Sequence, residues 1–136
     1  MKKLRILVVD DEPSVVDALK IILNDNGFDA VGAATARDAI ELAARHKFDA
    51  AIVDLRLPEM SGLVALAAVR DRCPDVVGVL ITALDTPQLR ADATACGFAA
   101  ILPKPFTPST LLDVVNGVLS HRNRVAIDKS RDSESD

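Results

Sequence analysis

Short apolar runs alternate with longer, more polar segments along the first 120 residues of the chain. Each run is rich in Val, Ile, Leu or Ala and is followed by acids, proline or another turn signal, which is typical of a strand buried in a parallel sheet. The pattern therefore predicts five strands, which cover residues 4–9, 28–33, 50–53, 76–81 and 99–102.

The segments between the runs carry apolar residues at spacings of three and four, the pattern of helices with one buried face. Three of these segments are preceded by Thr35, Ser61 or Thr86, whose hydroxyls can accept a hydrogen bond from the first helical turn. The segment after Thr86 has Leu89 as its one large apolar residue, so we expect that helix to be loosely held. The five predicted helices cover residues 14–26, 36–46, 63–72, 87–96 and 108–120.

Strict alternation of strands and helices is typical of βαβ units, which join parallel strands by right-handed crossovers. The chain is therefore predicted to form one α/β domain with a parallel sheet. Residues 121–136 show no apolar periodicity and end in charged residues and serines, which is the composition of a solvated segment. We expect a domain at residues 1–120, followed by a polar, disordered tail at residues 121–136.

Polar side chains follow four of the predicted strands. The carboxyl ends of parallel strands lie at one edge of a sheet, where open α/β sheets bind their ligands. Each residue taken singly has a structural interpretation, such as an acid that caps a turn, but together they indicate a functional crevice. They are Asp10 and Asp11 after the first strand, Asp54 after the third, Thr82 after the fourth and Lys104 after the fifth.

Three carboxylates held close together repel one another, and burial raises their pKa values further. A hard cation relieves the repulsion, and Mg²⁺ prefers oxygen ligands such as these. With its charge masked by a metal, Asp54 could attack a phosphoryl group. The hydroxyl of Thr82, the ammonium of Lys104 and the backbone N–H of Ala83 are suited to bind the phosphoryl oxygens. The chemistry that fits these residues is formation of an aspartyl phosphate.

With these motifs the chain resembles the receiver domains of two-component response regulators over about residues 4–120. The resemblance implies a flavodoxin-like α/β fold, a doubly wound sheet of five parallel strands in the order 2-1-3-4-5, with a pair of helices on one face and three on the other. The motifs occur in the family's order and spacing: Asp10-Asp11, Asp54 followed by Pro58 and Gly62, Thr82-Ala83, and Lys104-Pro105-Phe106.

The resemblance also implies a phosphoacceptor and a Mg²⁺ site. Asp54 would be the residue that receives the phosphoryl group. Asp11 and Asp54 would bind Mg²⁺ directly, together with the backbone carbonyl of Arg56. Asp10 would assist them through a water molecule. By the same resemblance, this set of ligands takes Mg²⁺ as its cofactor.

For the phosphoryl group, the resemblance implies that Thr82 reports its presence and that Lys104 binds it, aimed by a cis peptide bond to Pro105. The phosphodonor would be a histidine kinase or a histidine phosphotransfer protein. The phosphorylated domain would change its contacts with a downstream protein partner. The implied function is phosphorelay signal transduction rather than the work of an enzyme.

Two positions depart from the family's pattern. Ile101 stands three residues before the lysine, where the family often has Tyr or Phe as a switch, so we expect activation to proceed through Thr82 and residues 83–86. The residues that follow Gly97 lack the acids that mediate dimers among the winged-helix transcription factors of the family. That mode of dimerisation is not expected here.

Composition excludes several functional classes. The 136 residues, 49% of them hydrophobic and none of them Trp or Tyr, fit one domain with an aliphatic core. A formal net charge of −4 provides no electrostatic footprint for nucleic acid. Cys73 and Cys96 lack metal-type spacing and are expected to stay reduced. The apolar run near the amino terminus is too short for a signal peptide or a membrane span, so we expect a cytoplasmic protein that contacts no membrane.

Three other functions of the same fold class are alternatives. A metal-dependent phosphatase with an aspartate nucleophile would need an acid two residues later, where Arg56 cannot act as a general acid. A flavin-binding module would place its phosphate against Asp10-Asp11-Glu12, which would repel it. A non-phosphorylatable interaction module would have no need of the complete set of site residues found here.

The residues after Ser120 bear on the output. Those 16 residues are too few for a DNA-binding helix-turn-helix domain, so this chain alone is expected to bind no nucleic acid. We expect it to act as a separate protein through contacts with its partner. The alternative is that it is the receiver fragment of a longer DNA-binding transcriptional regulator.

Overall fold

Five strands and five helices alternate along residues 2–134, the part of the chain that the computed structural model describes. The surroundings of side chains are described as far as Arg122. The strands are β1 (Arg5–Val9), β2 (Asp29–Ala33), β3 (Ala50–Asp54), β4 (Val77–Thr82) and β5 (Phe98–Pro103). The helices are α1 (Pro13–Asp25), α2 (Ala36–Arg45), α3 (Gly62–Arg72), α4 (Pro87–Ala95) and α5 (Pro108–Glu134).

The strands form one parallel sheet in the order β2-β1-β3-β4-β5. β1 pairs with β2 on one side and with β3 on the other, so the direction of winding reverses between them. Open α/β sheets bind ligands at such a reversal, outside the carboxyl ends of the strands. The order implied by the family resemblance and the doubly wound α/β class are both confirmed.

Alternate side chains of each strand point to opposite faces of the sheet, and each face is covered by helices. On one face, Leu7 and Val53 lie in a core cluster that also contains residues of α2, α3 and α4. On the other face, Ile6 and Ile52 pack in a cluster with residues of α1 and α5. The division into a pair and a trio of helices is therefore confirmed.

The predicted helix caps are present. The hydroxyl of Thr35 accepts a hydrogen bond from the Asp38 N–H at 3.1 Å, and that of Thr86 accepts one from the Leu89 N–H at 3.1 Å. The Ser61 hydroxyl caps α3 in the same way, at 3.3 Å from its donor. These bonds satisfy backbone donors that have no partner within the helix, which is why the sequence locates the helix starts to within one residue.

The last helix is longer than the sequence suggested. It was expected to end at residue 120, whereas α5 continues to Glu134, so the predicted end of the helix is wrong. That residues 121–136 form a tail outside the domain stays a prediction. No Pro or Gly follows Gly117 up to Glu134, and a segment without apolar periodicity can still be helical. Residues 135 and 136 lie outside the described part of the chain.

Despite its 27 residues, α5 is not apolar enough to cross a membrane, and the same holds for every other helix in the described part of the chain. Both cysteines are free, as predicted. Cys73 is buried, and its thiol exchanges hydrogen bonds with the backbone N–H and C=O of Phe48, each at 3.4 Å. Its role is to join the end of α3 to the segment that precedes β3.

Candidate functional site

A crevice lies at the carboxyl edge of the sheet, where β1, β3, β4 and β5 end. It contains a cleft of about 520 Å³. Asp10 does not line the cleft, because it is fully buried, but it contacts Lys104 at the cleft wall. The structure thus brings together the residues that the sequence analysis singled out. The cleft is lined by Asp11, Glu12, Asp54, Leu55, Arg56, Thr82, Ala83, Leu84 and Lys104.

Three carboxylates meet in this crevice. Asp10, Asp11 and Asp54 each present an oxygen that lies within 4.8 Å of the others. Asp54 is 8% exposed and Asp10 is 0% exposed, whereas Asp11 is open to solvent. The Glu12 N–H donates to Oδ1 of Asp10 at 2.9 Å, so the turn between β1 and α1 fixes the buried carboxylate.

Lys104 is the cation that faces this cluster. Its Nζ lies 3.3 Å from Asp10 Oδ2 and 3.4 Å from Asp54 Oδ1. The backbone N–H of Lys104 donates to the carbonyl of Thr82 at 3.0 Å, which ties the end of β5 to the end of β4. The predicted cis peptide bond between Lys104 and Pro105 is confirmed.

The carboxylates outweigh the single ammonium. Burial raises the pKa of Asp54 above its ordinary value, the charge of Asp10 adds to the effect, and attraction to Lys104 offsets only part of it. Burial acts to lower the pKa of Lys104, but the two carboxylates together outweigh burial and raise that pKa. The crevice therefore holds more negative charge than Lys104 neutralises.

The donor set fits Mg²⁺. The three clustered carboxylates offer only oxygen atoms, which Mg²⁺ prefers. Neither His nor Cys is among the described residues that line the cleft, so the softer metals that select those ligands are disfavoured. A divalent cation would also relieve the repulsion that raises the pKa of Asp54.

The loop between β4 and α4 forms one wall of the cleft. Thr82 is 6% exposed, and its hydroxyl accepts a hydrogen bond from the Leu84 N–H at 3.0 Å. Asp85 binds Arg90 in α4 through both carboxylate oxygens, at 2.6 and 2.8 Å. The Thr82 hydroxyl is therefore hydrogen-bonded to a loop that is itself tied to α4.

The loop between β3 and α3 forms the opposite wall, and its close packing explains a glycine. The N–H of Gly62 donates to the carbonyl of Leu55 at 2.7 Å. A Cβ at position 62 would overlap the backbone carbonyl oxygen of Asp54. Only glycine lets α3 begin so close to the end of β3.

Sequence reasoning missed two residues near the site. Leu84 is 46% exposed at the cleft wall, and its apolar side chain gave no sign of this position. Glu59 accepts a hydrogen bond from the backbone N–H of Ala36 at 2.9 Å, across 23 residues of sequence. The one available signal for Glu59 is an acid in a loop that leaves the carboxyl end of a strand.

A larger cleft of about 800 Å³ at the opposite edge of the sheet has the reverse charge. Lys2 and Lys3 line it together with Arg45 and Lys47. Its acids are engaged by arginines: Asp29 by Arg5 at 3.2 Å, and Asp49 by Arg122 at 3.2 Å. The clustered carboxylates that fit a metal lie only at the carboxyl edge among the described residues.

Comparison with known proteins adds to this geometry. The model of the family described as the response regulator receiver domain matches residues 6–116. The matched segment contains β2 to β5 in full, all of β1 except Arg5, and every residue that lines the cleft at the carboxyl edge. The match therefore covers the crevice and all but one residue of the sheet, rather than one local motif.

Relatives and a solved structure agree with this match. Response regulator protein PilR of Pseudomonas aeruginosa is 33% identical over 90% of this chain and 28% of its own length. Response regulator MprA of Mycolicibacterium vanbaalenii is 33% identical over 85% of this chain and 50% of its own length. The chain thus spans about a quarter to a half of these relatives. The structure of chemotaxis protein CheY4 of Vibrio cholerae is 30% identical, with a TM-score of 0.82 over 86% of this chain and 99% of CheY4.

Proposed function

The chain belongs to the family of response regulator receiver domains, and from that membership we propose that Asp54 accepts a phosphoryl group in a Mg²⁺-dependent reaction. The observation that carries the proposal is the meeting of three carboxylates, a buried threonine hydroxyl and a lysine ammonium in one crevice. The donor is a histidine kinase or a histidine phosphotransfer protein, and phosphorylation changes the contacts of the domain with a downstream protein partner.

Asp54 is the best candidate for the phosphoacceptor among the three acids. Asp10 is fully buried and held by the Glu12 N–H, so a phosphodonor cannot reach it. Asp11 lies at the exposed rim, where it is suited to bind a cation. Asp54 lines the cleft and contacts Lys104, whose ammonium can bind an oxygen of the transferred phosphoryl group.

The residues divide the chemistry between them. When bound, Mg²⁺ supplies the positive charge that lets a carboxylate approach a phosphoryl group. An oxygen of Asp54 forms the new bond to phosphorus while the bond from phosphorus to the donor's imidazole nitrogen breaks. The residues that would hold the cation are Asp11 and Asp54, the backbone carbonyl of Arg56, and Asp10 through water.

Three donors are suited to hold the transferred group. Lys104 Nζ already lies 3.4 Å from Asp54 Oδ1, so it can bind a phosphoryl oxygen with little movement. The Thr82 hydroxyl and the Ala83 N–H line the same cleft and can bind further oxygens. The Thr82 hydroxyl also accepts a hydrogen bond from the Leu84 N–H. Movement of this hydroxyl toward a phosphoryl group would therefore pull on the loop that leads to α4.

A receiver domain within a longer DNA-binding transcriptional regulator is the second candidate. It is favoured by the finding that the chain spans only 28% of PilR and 50% of MprA. In that case the partner of the phosphorylated face would be an attached domain. A phosphatase activity is disfavoured, because Arg56, two residues after Asp54, cannot donate a proton to a leaving group at neutral pH.

The experiment is incubation of the full chain with acetyl phosphate, with and without Mg²⁺, followed by intact-mass spectrometry. We expect the mass to rise by one phosphoryl group only when Mg²⁺ is present, and not after removal of the metal by EDTA. The Asp54→Ala variant should gain nothing under either condition. An equal gain of mass in that variant would remove Asp54 from its proposed role.

A further inference from the structure

One charged contact joins the loop that follows Asp54 to the start of α2. Glu59 lies in the loop between β3 and α3, and its Oε1 accepts a hydrogen bond from the backbone N–H of Ala36 at 2.9 Å. Ala36 is the first residue of α2. Among the described residues, this is the one hydrogen bond made by the Glu59 side chain.

The contact satisfies a real need of α2. The first backbone N–H groups of a helix have no partner within it. The Thr35 hydroxyl accepts a hydrogen bond from the Asp38 N–H. Ala36 is 0% exposed, so water cannot readily satisfy the Ala36 N–H. A carboxylate at this position is also favoured by the positive end of the helix dipole. Glu59 should therefore be held in place although its side chain is exposed.

The loop has other contacts, since Arg56 pairs with Ser61 across its base and Met60 packs against the core, but none of these is a hydrogen bond to α2. The Gly62 N–H closes the base on the Leu55 carbonyl at 2.7 Å, and Leu57 is buried between them. The tip, residues 58–60, reaches α2 through Glu59 alone among the hydrogen bonds described. The backbone carbonyl of Arg56, a candidate metal ligand, belongs to the segment between these two attachments.

The other end of the contact leads back to the acidic cluster. Ala33, at the end of β2, accepts a hydrogen bond from the backbone N–H of Asp10 at 3.2 Å. The short connection from Ala33 to Ala36 is thus bound to Asp10 at one end and to Glu59 at the other. Glu59 therefore links the loop that follows Asp54 to the segment that borders Asp10.

We propose that Glu59 is a positioning residue for the metal site. By holding the tip of its loop against the start of α2, it keeps the Arg56 carbonyl in place for a divalent cation, without touching the cation itself. The inference rests on the proposed function, because it concerns the same Mg²⁺ site. What matters is the hydrogen bond to Ala36 rather than the negative charge.

Three variants separate the hydrogen bond from the charge. Glu59→Gln keeps an acceptor oxygen at the same reach and loses the charge. Glu59→Asp keeps the charge but is one methylene too short, and Glu59→Ala loses both. Glu41→Ala is the matched control, because Glu41 is an exposed acid on α2 whose one described partner is Arg37, at 3.8 Å.

The measurement is the Mg²⁺ dissociation constant of each full-length variant by isothermal titration calorimetry, alongside its urea unfolding. We expect Glu59→Ala and Glu59→Asp to bind Mg²⁺ about tenfold more weakly, the low end of the loss seen when a supporting partner of a metal ligand is removed. Glu59→Gln and Glu41→Ala should bind like the wild type. A purely structural role of Glu59 would lower unfolding stability in Glu59→Ala and leave Mg²⁺ affinity unchanged.

Each contrary result has a distinct meaning. If Glu59→Asp binds like the wild type while Glu59→Gln is weakened, the charge matters and the positioning role is overturned. If all variants match the wild type, the role is overturned while the proposed function stands. If the wild type itself binds no Mg²⁺, the proposed function fails, and the inference fails with it. Faster hydrogen exchange of the Ala36 amide in metal-free Glu59→Ala checks the contact itself.

Discussion

At the scale of single residues, the crevice holds an acid that its surroundings do not favour as an anion. The pKa of Asp54 is raised, first by burial and then by the charge of Asp10. In the unfolded chain the same carboxyl ionises at its ordinary value, so the folded state binds this proton more tightly than the unfolded state does. Ionised Asp54 therefore destabilises the metal-free fold, which is a cost that a functional site can bear and a structural residue would not need.

A substitution of Asp54 tests whether its ionised carboxylate destabilises the metal-free fold. In metal-free protein at pH 7, Asp54→Asn should raise the urea midpoint of unfolding, because it removes the unfavourable charge while keeping the shape. The difference in stability between Asp54→Asn and the wild type should shrink as pH falls through the raised pKa of Asp54 toward the ordinary value of about 4. Over that range the wild-type carboxyl becomes protonated and loses its unfavourable charge. Added Mg²⁺ should stabilise the wild type more than Asp54→Asn. A lower midpoint for the variant at pH 7 would contradict this account of the crevice.

Sequence located the clustered residues because their chemistry and their place at strand ends coincide. Asp10, Asp54 and Lys104 follow apolar runs that could hardly be anything but buried strands, and parallel strands bring such ends together. Glu59 could not be found in this way. Its partner is a backbone N–H 23 residues away, so neither periodicity nor local spacing carries information about the contact.

At the scale of elements, the junction of β3 with α3 is the tightest point near the site. Gly62→Ala should destabilise the protein by about 1–3 kcal/mol, the usual effect of forcing atoms into packed space, because its Cβ would overlap the Asp54 carbonyl. Gly117→Ala is the matched control. Its Cβ meets nothing within 4 Å in α5, so it should stabilise the helix by about 0.5–1 kcal/mol. The free energies of unfolding of both variants, measured in urea, test this prediction. Equal changes in the two variants would show that the junction of β3 with α3 is not tightly packed.

If Asp54 is phosphorylated as proposed, α4 is the helix most suited to move. Its buried residues are Leu89 and Ala93, and the loop before it is tied to the Thr82 hydroxyl. Ile101 is β-branched and stiff about its first side-chain torsion, so its reorientation offers little leverage. We expect beryllofluoride, a phosphoryl mimic, to shift the amide resonances of residues 83–96. Movement of Ile101 from half-buried to fully buried, with residues 83–96 unchanged, would refute this view of the switch.

Helix and strand positions were predictable to within one or two residues because periodicity and capping residues mark them. The end of α5 was not predictable in this way, because the apolar periodicity stops near residue 120 while the helix continues. A helix can continue without an apolar face until a proline, a glycine or a competing cap stops it. Between Ser120 and Glu134 the sequence supplies neither Pro nor Gly.

At the scale of the whole molecule, the fold is complete before the extended part of α5 begins. The last described core residues are Val118 and Leu119, and Arg122 donates to the Asp49 backbone carbonyl at 3.0 Å. We therefore propose that residues 123–136 are dispensable. A chain truncated after Arg122 should keep its melting temperature and its phosphorylation, and lose only helical circular-dichroism signal. A drop of several degrees would show that the segment packs on the domain.

The strand order illustrates what alternation alone does not determine. Four successive βαβ units predict a parallel sheet, but whether β1 lies at an edge or between β2 and β3 depends on pairings between distant strands. The family resemblance provided that order, and the pairing of β1 with β3 is what brings Asp10 beside Asp54. The strand order therefore determines which residues meet in the site.

Locating the phosphoryl group tests the central claim most directly. The full chain would be incubated with acetyl phosphate and Mg²⁺ and treated with borohydride, which reduces an aspartyl phosphate to homoserine. Peptides would then be sequenced by mass spectrometry. The account predicts homoserine at position 54 and at neither position 10 nor position 11. Homoserine at position 10 or 11, or a phosphate found on a serine, threonine or histidine side chain instead, would contradict it.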